Sequence, residues 1–125
     1  MQESDALQQL ECFLIAISHA YSQLGAEVMR LYYAYMFRNP EIQRRKDFHY
    51  AAIIRDLLSQ AREQQLLTSL YTNEEILDLA LMLNRGIATE WALHDNAYPI
   101  ESKDNLITRF CQILRKDALC PTQEG

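Results

Sequence analysis

The chain is poor in the residues that turn a polypeptide. Its 125 residues include 3 Gly and 3 Pro, well under the roughly 12 per cent that average usage supplies. A sandwich or barrel of this length needs many tight turns, and Gly, Pro, Asn and Asp make those turns for steric reasons. An all-β fold is therefore disfavoured. A doubly wound α/β fold is disfavoured too, because no Gly-rich strand-to-helix turn is present. What remains is an all-α domain, an antiparallel bundle of about five helices. The few glycines and prolines fall at its joints: Gly25 and Pro40 punctuate helices, Pro99 precedes one, and Pro121 and Gly125 lie in the tail. Only Gly86 sits inside a helical pattern, where it costs about 1 kcal/mol relative to alanine.

Hydrophobic spacing places the helices. Leu7, Leu10, Leu14, Ile17, Tyr21 and Leu24 recur at steps of three and four, which predicts a helix over about 4–21 with Ser4 or Asp5 as cap. A second helix runs over 26–38. Its stripe of Val28, Leu31, Tyr32, Tyr35 and Met36 is widened by Met29, Tyr33 and Phe37, which predicts burial on more than one side. Asn39-Pro40 ends it. A third helix, over 40–65, turns Phe48, Ala51, Ala52, Ile54, Leu57, Leu58 and Ala61 inward. Arg44, Arg45, Lys46, Arg55 and Arg62 read as its solvated face.

Thr72-Asn73-Glu74-Glu75 has the form of a capping box opening a fourth helix. Two stripes follow, Ile76, Ala80, Leu83, Ile87 and Trp91, and Leu77, Leu81, Ala88 and Ala92. A helix with two apolar faces has to bury both, and in a small domain the second face often meets another subunit. The last helix follows Pro99, with Ser102 as its expected cap. Leu106, Ile107, Phe110, Cys111 and Leu114 line its apolar side and Ile113 flanks it. The domain thus spans 4–117, and 118–125 reads as a disordered tail.

The net charge of −5 disfavours a free-standing nucleic-acid binder, since phosphates repel it. No apolar run reaches the ~18–20 residues of a membrane span. The three cysteines, Cys12, Cys111 and Cys120, fit no zinc or redox spacing, which implies a reducing, cytoplasmic compartment. Cys12 and Cys111 lie on apolar stripes, as small core residues do. Glu90 and His94 stand four apart but have no second Glu/His set, so no metal site is expected. There is no phosphate-binding loop, no serine elbow and no cofactor motif, and enzyme activity is unsupported. The unusual feature is aromatic and sulfur-rich. Met29, Tyr32, Tyr33, Tyr35, Met36 and Phe37, with His19, Tyr21, Phe48, His49, Tyr50 and Trp91 expected near them, either fill the core or line a pocket whose rings supply area and whose hydroxyls orient a ligand.

Three pieces in order carry a resemblance. They are Tyr32-Tyr33-Ala34-Tyr35-Met36-Phe37-Arg38-Asn39-Pro40, then Ile53-Ile54-Arg55-Asp56-Leu57-Leu58-Ser59-Gln60-Ala61. The third is Thr72-Asn73-Glu74-Glu75-Ile76 leading to Asn84-Arg85-Gly86-Ile87-Ala88-Thr89-Glu90-Trp91. Together they resemble the C-terminal domain of TetR-type transcriptional regulators. One departure is that Gln64-Gln65-Leu66-Leu67-Thr68-Ser69 carries no glycine where that family often turns.

The resemblance implies a homodimer in which the last two helices of each copy form a four-helix interface. Ile76, Leu77, Leu81, Leu83, Gly86, Phe110, Ile113 and Leu114 are the candidates for that interface. It also implies a pocket for a small hydrophobic or aromatic effector, with Tyr21, Met29, Tyr32, Tyr33, Met36, His49 and Trp91 as candidate lining. DNA would be reached only through a helix-turn-helix domain that this chain lacks, as expected of an excised C-terminal domain. The alternative is a helical adaptor or scaffold that uses protein contacts and no small ligand.

Overall fold

A computed structural model describes residues 5–95 and 97–116, apart from the side chains at positions 43, 46 and 47. Ser4, Asp117 and the expected tail 118–125 lie outside the described residues. Among the described residues the fold is all-α. It comprises α1 (Ala6–Ser22), α2 (Ala26–Arg38), α3 (Pro40–Glu63), α4 (Asn73–Leu93) and α5 (Asp104–Leu114), with a 3-10 turn at Ile100–Lys103 before α5. None of these helices is long and apolar enough to cross a membrane.

Local chemistry sets the helix starts. Asp5 caps α1: its Oδ1 accepts from the Gln8 backbone N–H at 2.8 Å, and Gln8 Oε1 accepts from the Asp5 N–H at 2.9 Å. Thr72 and Glu75 make the same reciprocal pair at 3.1 and 2.9 Å, so the orphan donors of each first turn are satisfied. Gly25 precedes α2 with φ of 88°, a conformation that a side chain disfavours. Ser102 does not cap α5. It lies within the 3-10 turn, which tucks Ile100 into the core.

α1 is the central helix. Leu7, Leu10, Leu14 and Ile17 bury against α3, α4 and α5. Three polar links pin its outer edge to α5 and the residues flanking it. Arg115 donates to Asp5 at 3.1 Å, Thr108 donates to Glu11 at 2.7 Å, and His19 Nε2 lies 2.8 Å from Asp104. α2 packs on α4 and α3 and reaches the core through Ala26, Met29 and Met36.

Several expected burials are corrected. Val28, Leu31, Tyr35 and Phe37 are exposed, because α2 lies at the edge of the bundle and has neighbours on one side. In α3 the core residues are Ala51, Ile54, Leu58 and Ala61, whereas Phe48 and Ala52 are exposed. This 24-residue helix is about 36 Å long, and none of its described side chains before Ala51 is fully buried. Cys12 is exposed. Cys111 is buried, and burial, with the Glu11 carboxylate second, pushes its thiol up to about 12. That is the inert end of thiol behaviour.

The segment after α3 turns without glycine. Gln65 takes the left-handed conformation at φ 62°, a geometry that costs a side-chain-bearing residue roughly 1–2 kcal/mol. Arg62 secures the turn. Its guanidinium donates to Thr68 O at 2.9 Å, to Tyr71 O at 3.0 Å and to Asn73 Oδ1 at 2.7 and 3.1 Å. Arg62 was expected on a solvated face, but it is half-buried because these carbonyls need donors. Leu66 O and Thr68 N–H then bond the backbone at the end of α5, each at 2.7 Å.

Arg62→Ala is expected to lower the unfolding free energy by about 2–3 kcal/mol in urea titration, since charged hydrogen bonds to several acceptors are lost together. A pH effect follows from Asp5. Partial burial raises its pKa, but the bonds from Arg115 and the Gln8 backbone, with the Arg115 charge, outweigh burial and hold it below the ordinary 3.8. The contribution of this pair is therefore complete above the unfolded-state value and is lost as pH falls through the lower folded-state value. Asp5→Asn is expected to flatten the acid end of a stability-versus-pH curve in that window.

Candidate functional site

The rotation of α4 is set by one polar side chain. Asn84 is 6% exposed, and its Nδ2 donates to Leu14 O at 3.1 Å and to Ser18 Oγ at 3.0 Å, both on α1. With Asn84 facing α1, the 3.6-residue period puts Leu81 and Arg85 on one flank. Leu79, Met82, Leu83, Gly86 and Glu90 fall on the other. Each flank forms a candidate site.

The first is an apolar groove between α4 and α5. Leu79, Met82, Leu83 and Gly86 form one wall, and Leu106, Phe110 and Ile113 the other. Two adjoining hollows, about 310 and 530 Å³, share Met82, Leu83 and Leu106. The wall residues are open to solvent: Met82 is 66% exposed and Ile113 47%. Glu90, Tyr98, Lys103 and Arg109 rim the groove, with Lys103 Nζ 4.9 Å from the centre of the Tyr98 ring. An apolar floor inside a polar rim is the anatomy of a protein interface.

The second is a tyrosine cavity. Ile17 and Tyr21 of α1, Tyr33 of α2, Tyr50 of α3, and Leu81, Asn84 and Arg85 of α4 enclose about 20 Å³, room for about one water. Tyr33 stacks edge-on with Tyr32 at 5.4 Å, and Tyr50 with Phe13 at 6.1 Å. Burial pushes the Tyr21 hydroxyl far above the ordinary phenol value, and its neighbours Tyr50, Tyr33 and Tyr32 push the same way. Tyr21 therefore stays neutral.

The structure divides the expected site residues. Tyr21 and Tyr33 line the cavity, with Tyr32 beside them. Met29 and Trp91 belong to the core, at 0% and 4% exposure, and Trp91 Nε1 donates to Tyr98 O at 3.0 Å. Met36 is buried and His49 exposed, and neither lines the cavity. Of the interface candidates, Leu83, Gly86, Phe110, Ile113 and Leu114 line the groove. Ile76 and Leu77 are core, and Leu81 faces the cavity. None of those three lines the groove, since the first two are covered within the chain and the third faces the cavity.

Leu79, Met82 and Arg109 on the groove, and Asn84 and Arg85 on the cavity, were missed. Leu79, Met82, Leu83 and Gly86 have helical spacing of their own, and Asn84 interrupts an otherwise apolar face. Both signals were present in the sequence. Glu90 and His94 pair at 3.2 Å at the end of α4. Among the described residues no group of three or more His, Cys, Asp or Glu comes together as a metal cluster.

Comparison with protein-family models, with curated proteins and with solved structures gave no match. Gly86 therefore has to be judged on its geometry. Outside its own stretch of α4, no atom of the described residues lies within 4 Å of the place its Cβ would take, so no second helix approaches Gly86 closely among the described residues. Gly86→Ala is expected to stabilise the isolated chain by about 0.5–1 kcal/mol through helix propensity, read as a rise in urea midpoint at low protein concentration.

Proposed function

We propose that this chain is the effector-binding and dimerisation domain of a TetR-type transcriptional regulator, acting on DNA through a separate helix-turn-helix domain. The observation that carries the reading is the α4–α5 groove. The last two helices of the fold leave a contiguous apolar strip uncovered, and a two-fold partner would cover it with the same strip from a second copy. Gly86 lies on that strip, where the lack of a side chain lets two helices come close. The tyrosine cavity on the opposite flank of α4 supplies the effector site.

The size of that cavity favours a second reading. A ligand pocket commonly encloses ~300–1,000 Å³, and this one holds about 20 Å³. A helical adaptor needs no such pocket and would use the same groove for a different protein.

Sedimentation equilibrium separates the two. The regulator reading expects a dimer at tens of micromolar, where an interface of standard size stays associated. Met82→Glu and Ile113→Glu are expected to give folded monomers, because both side chains are solvent-exposed in the single chain. A wild-type monomer would favour the adaptor.

A further inference from the structure

The α4 wall of the groove has a gap in it. Leu79, Leu83, Gly86 and Glu90 fall within about 60° of one line along the helix, and Gly86 adds no side chain to that line. Charges are spread unevenly around the gap. Glu90, Tyr98 and Lys103 stand at one end of the groove, and Arg109 stands with Leu79 and Met82 toward the other. The Glu90 side chain is 63% exposed, and its carboxylate lies 3.2 Å from His94 Nδ1. That nitrogen also lies 2.8 Å from the Glu90 carbonyl oxygen, so the carboxylate has only a share of it. Arg109 is exposed, and no ion pair among the described residues engages it.

We infer that the groove takes a second copy in one register only. α4 of each copy lies in the other's groove, antiparallel to its counterpart, with Gly86 on Gly86 and Glu90 against the partner's Arg109. The inference rests on the dimerisation reading and adds what selects the partner and fixes its register.

Two helix backbones approach most closely where neither carries a side chain. A two-fold axis sets a residue against its own copy only at the axis, so the two gaps meet there. Glu90 stands four residues after Gly86 and Met82 four before it, about 6 Å each way along α4. Reversal about Gly86 therefore brings the partner's Glu90 level with Met82, whose hollow Arg109 also lines. Negative meets positive, and the symmetry makes the pair twice. A copy turned about an axis along the groove would instead set the partner's Glu90 level with Glu90 and Lys103. Lys103 already lies over the Tyr98 ring, and Arg109 would be left without a counter-charge. A foreign helix lacking an acid at this place would leave Arg109 unpaired as well, which disfavours it against a second copy.

The experiment is sedimentation equilibrium on the full chain, as wild type, Glu90→Arg, Arg109→Glu and both changes together. These side chains are exposed, and far-UV circular dichroism checks that each variant is folded. Either single reversal turns two attractions into two repulsions, and is expected to weaken the dimer at least about tenfold. The double variant is expected to return to within about threefold of the wild type. Single variants that dimerise as the wild type does overturn the inference, and so does a double variant no tighter than the singles. Rescue of Glu90→Arg by Lys103→Glu in place of Arg109→Glu overturns it too, in favour of the other axis. Each of these outcomes leaves the dimerisation reading standing. A monomeric wild type removes both.

Discussion

The contact between Asn84 and α1 decides how the rest of the molecule presents itself. An amide buried among leucines has to be satisfied, and Leu14 O and Ser18 Oγ satisfy its donor. The pair therefore fixes both the register and the rotation of α4 on α1. A rotation of α4 by one residue would carry Asn84 off Leu14 and move Met82 and Leu83 relative to α5. The groove and the cavity are thus two consequences of one hydrogen-bonded peg. The apolar neighbours Ala80, Ile87, Ala88 and Trp91 supply most of the burial energy, but burial is non-directional and would tolerate other rotations.

How much of this was legible in the sequence depends on how local its cause is. The bounds of α2 at Ala26–Arg38 and the start of α3 at Pro40 were legible, because Gly25, Asn39 and Pro40 act on their own backbone. So was the cap at Thr72, whose partner is three residues away. The direction of each apolar stripe was not. Periodicity shows that residues share a face, but it does not say what lies opposite. Phe48 is exposed, because it stands six residues from Ile54 and so about 120° round the helix from it. Ile76 and Leu77 were placed at an interface because periodicity is silent on what lies opposite. Arg62 looked like any charged helix residue, and its role depends on carbonyls of the following turn that adopt their positions only in the fold. Tyr21 and Tyr33 were legible as aromatic material, whereas their meeting with Tyr50 and Asn84 needed four helices in place.

The chain also leaves more apolar surface uncovered than its five helices can absorb. Along α2, Val28, Leu31, Tyr35 and Phe37 face outward, and on α4 and α5 Leu79, Met82, Leu106 and Ile113 do so too. The two surfaces differ in shape. The α2 stripe lies on a single edge helix and is convex, so it offers a partner little enclosure. The α4–α5 strip is a channel between two helices with a charged and aromatic rim, so a helix laid into it would be surrounded on both sides. Enclosure matters because contact energy falls steeply with small gaps. This is why the proposed dimer is assigned to α4 and α5 and not to α2.

The proposed regulator also needs a path from ligand to dimer. A short stretch of α4, residues 81–86 and less than two turns long, supplies walls to both sites: Leu81, Asn84 and Arg85 to the cavity, and Met82, Leu83 and Gly86 to the groove. An α-helix is stiff over one turn, since its backbone bonds link each residue to the one four positions on. A ligand entering the cavity would press on the same stretch of α4 that a second copy would pack against in the proposed dimer. Coupling of ~1–3 kcal/mol is typical of allosteric switches, comparable to the worth of a few buried contacts. Close packing makes such a shift stepwise, because side chains interlocked across an interface have few alternative fits. The link between effector and dimer would therefore need no long chain of residues. It would lie in the opposite faces of less than two helical turns, held in place by the Asn84 peg.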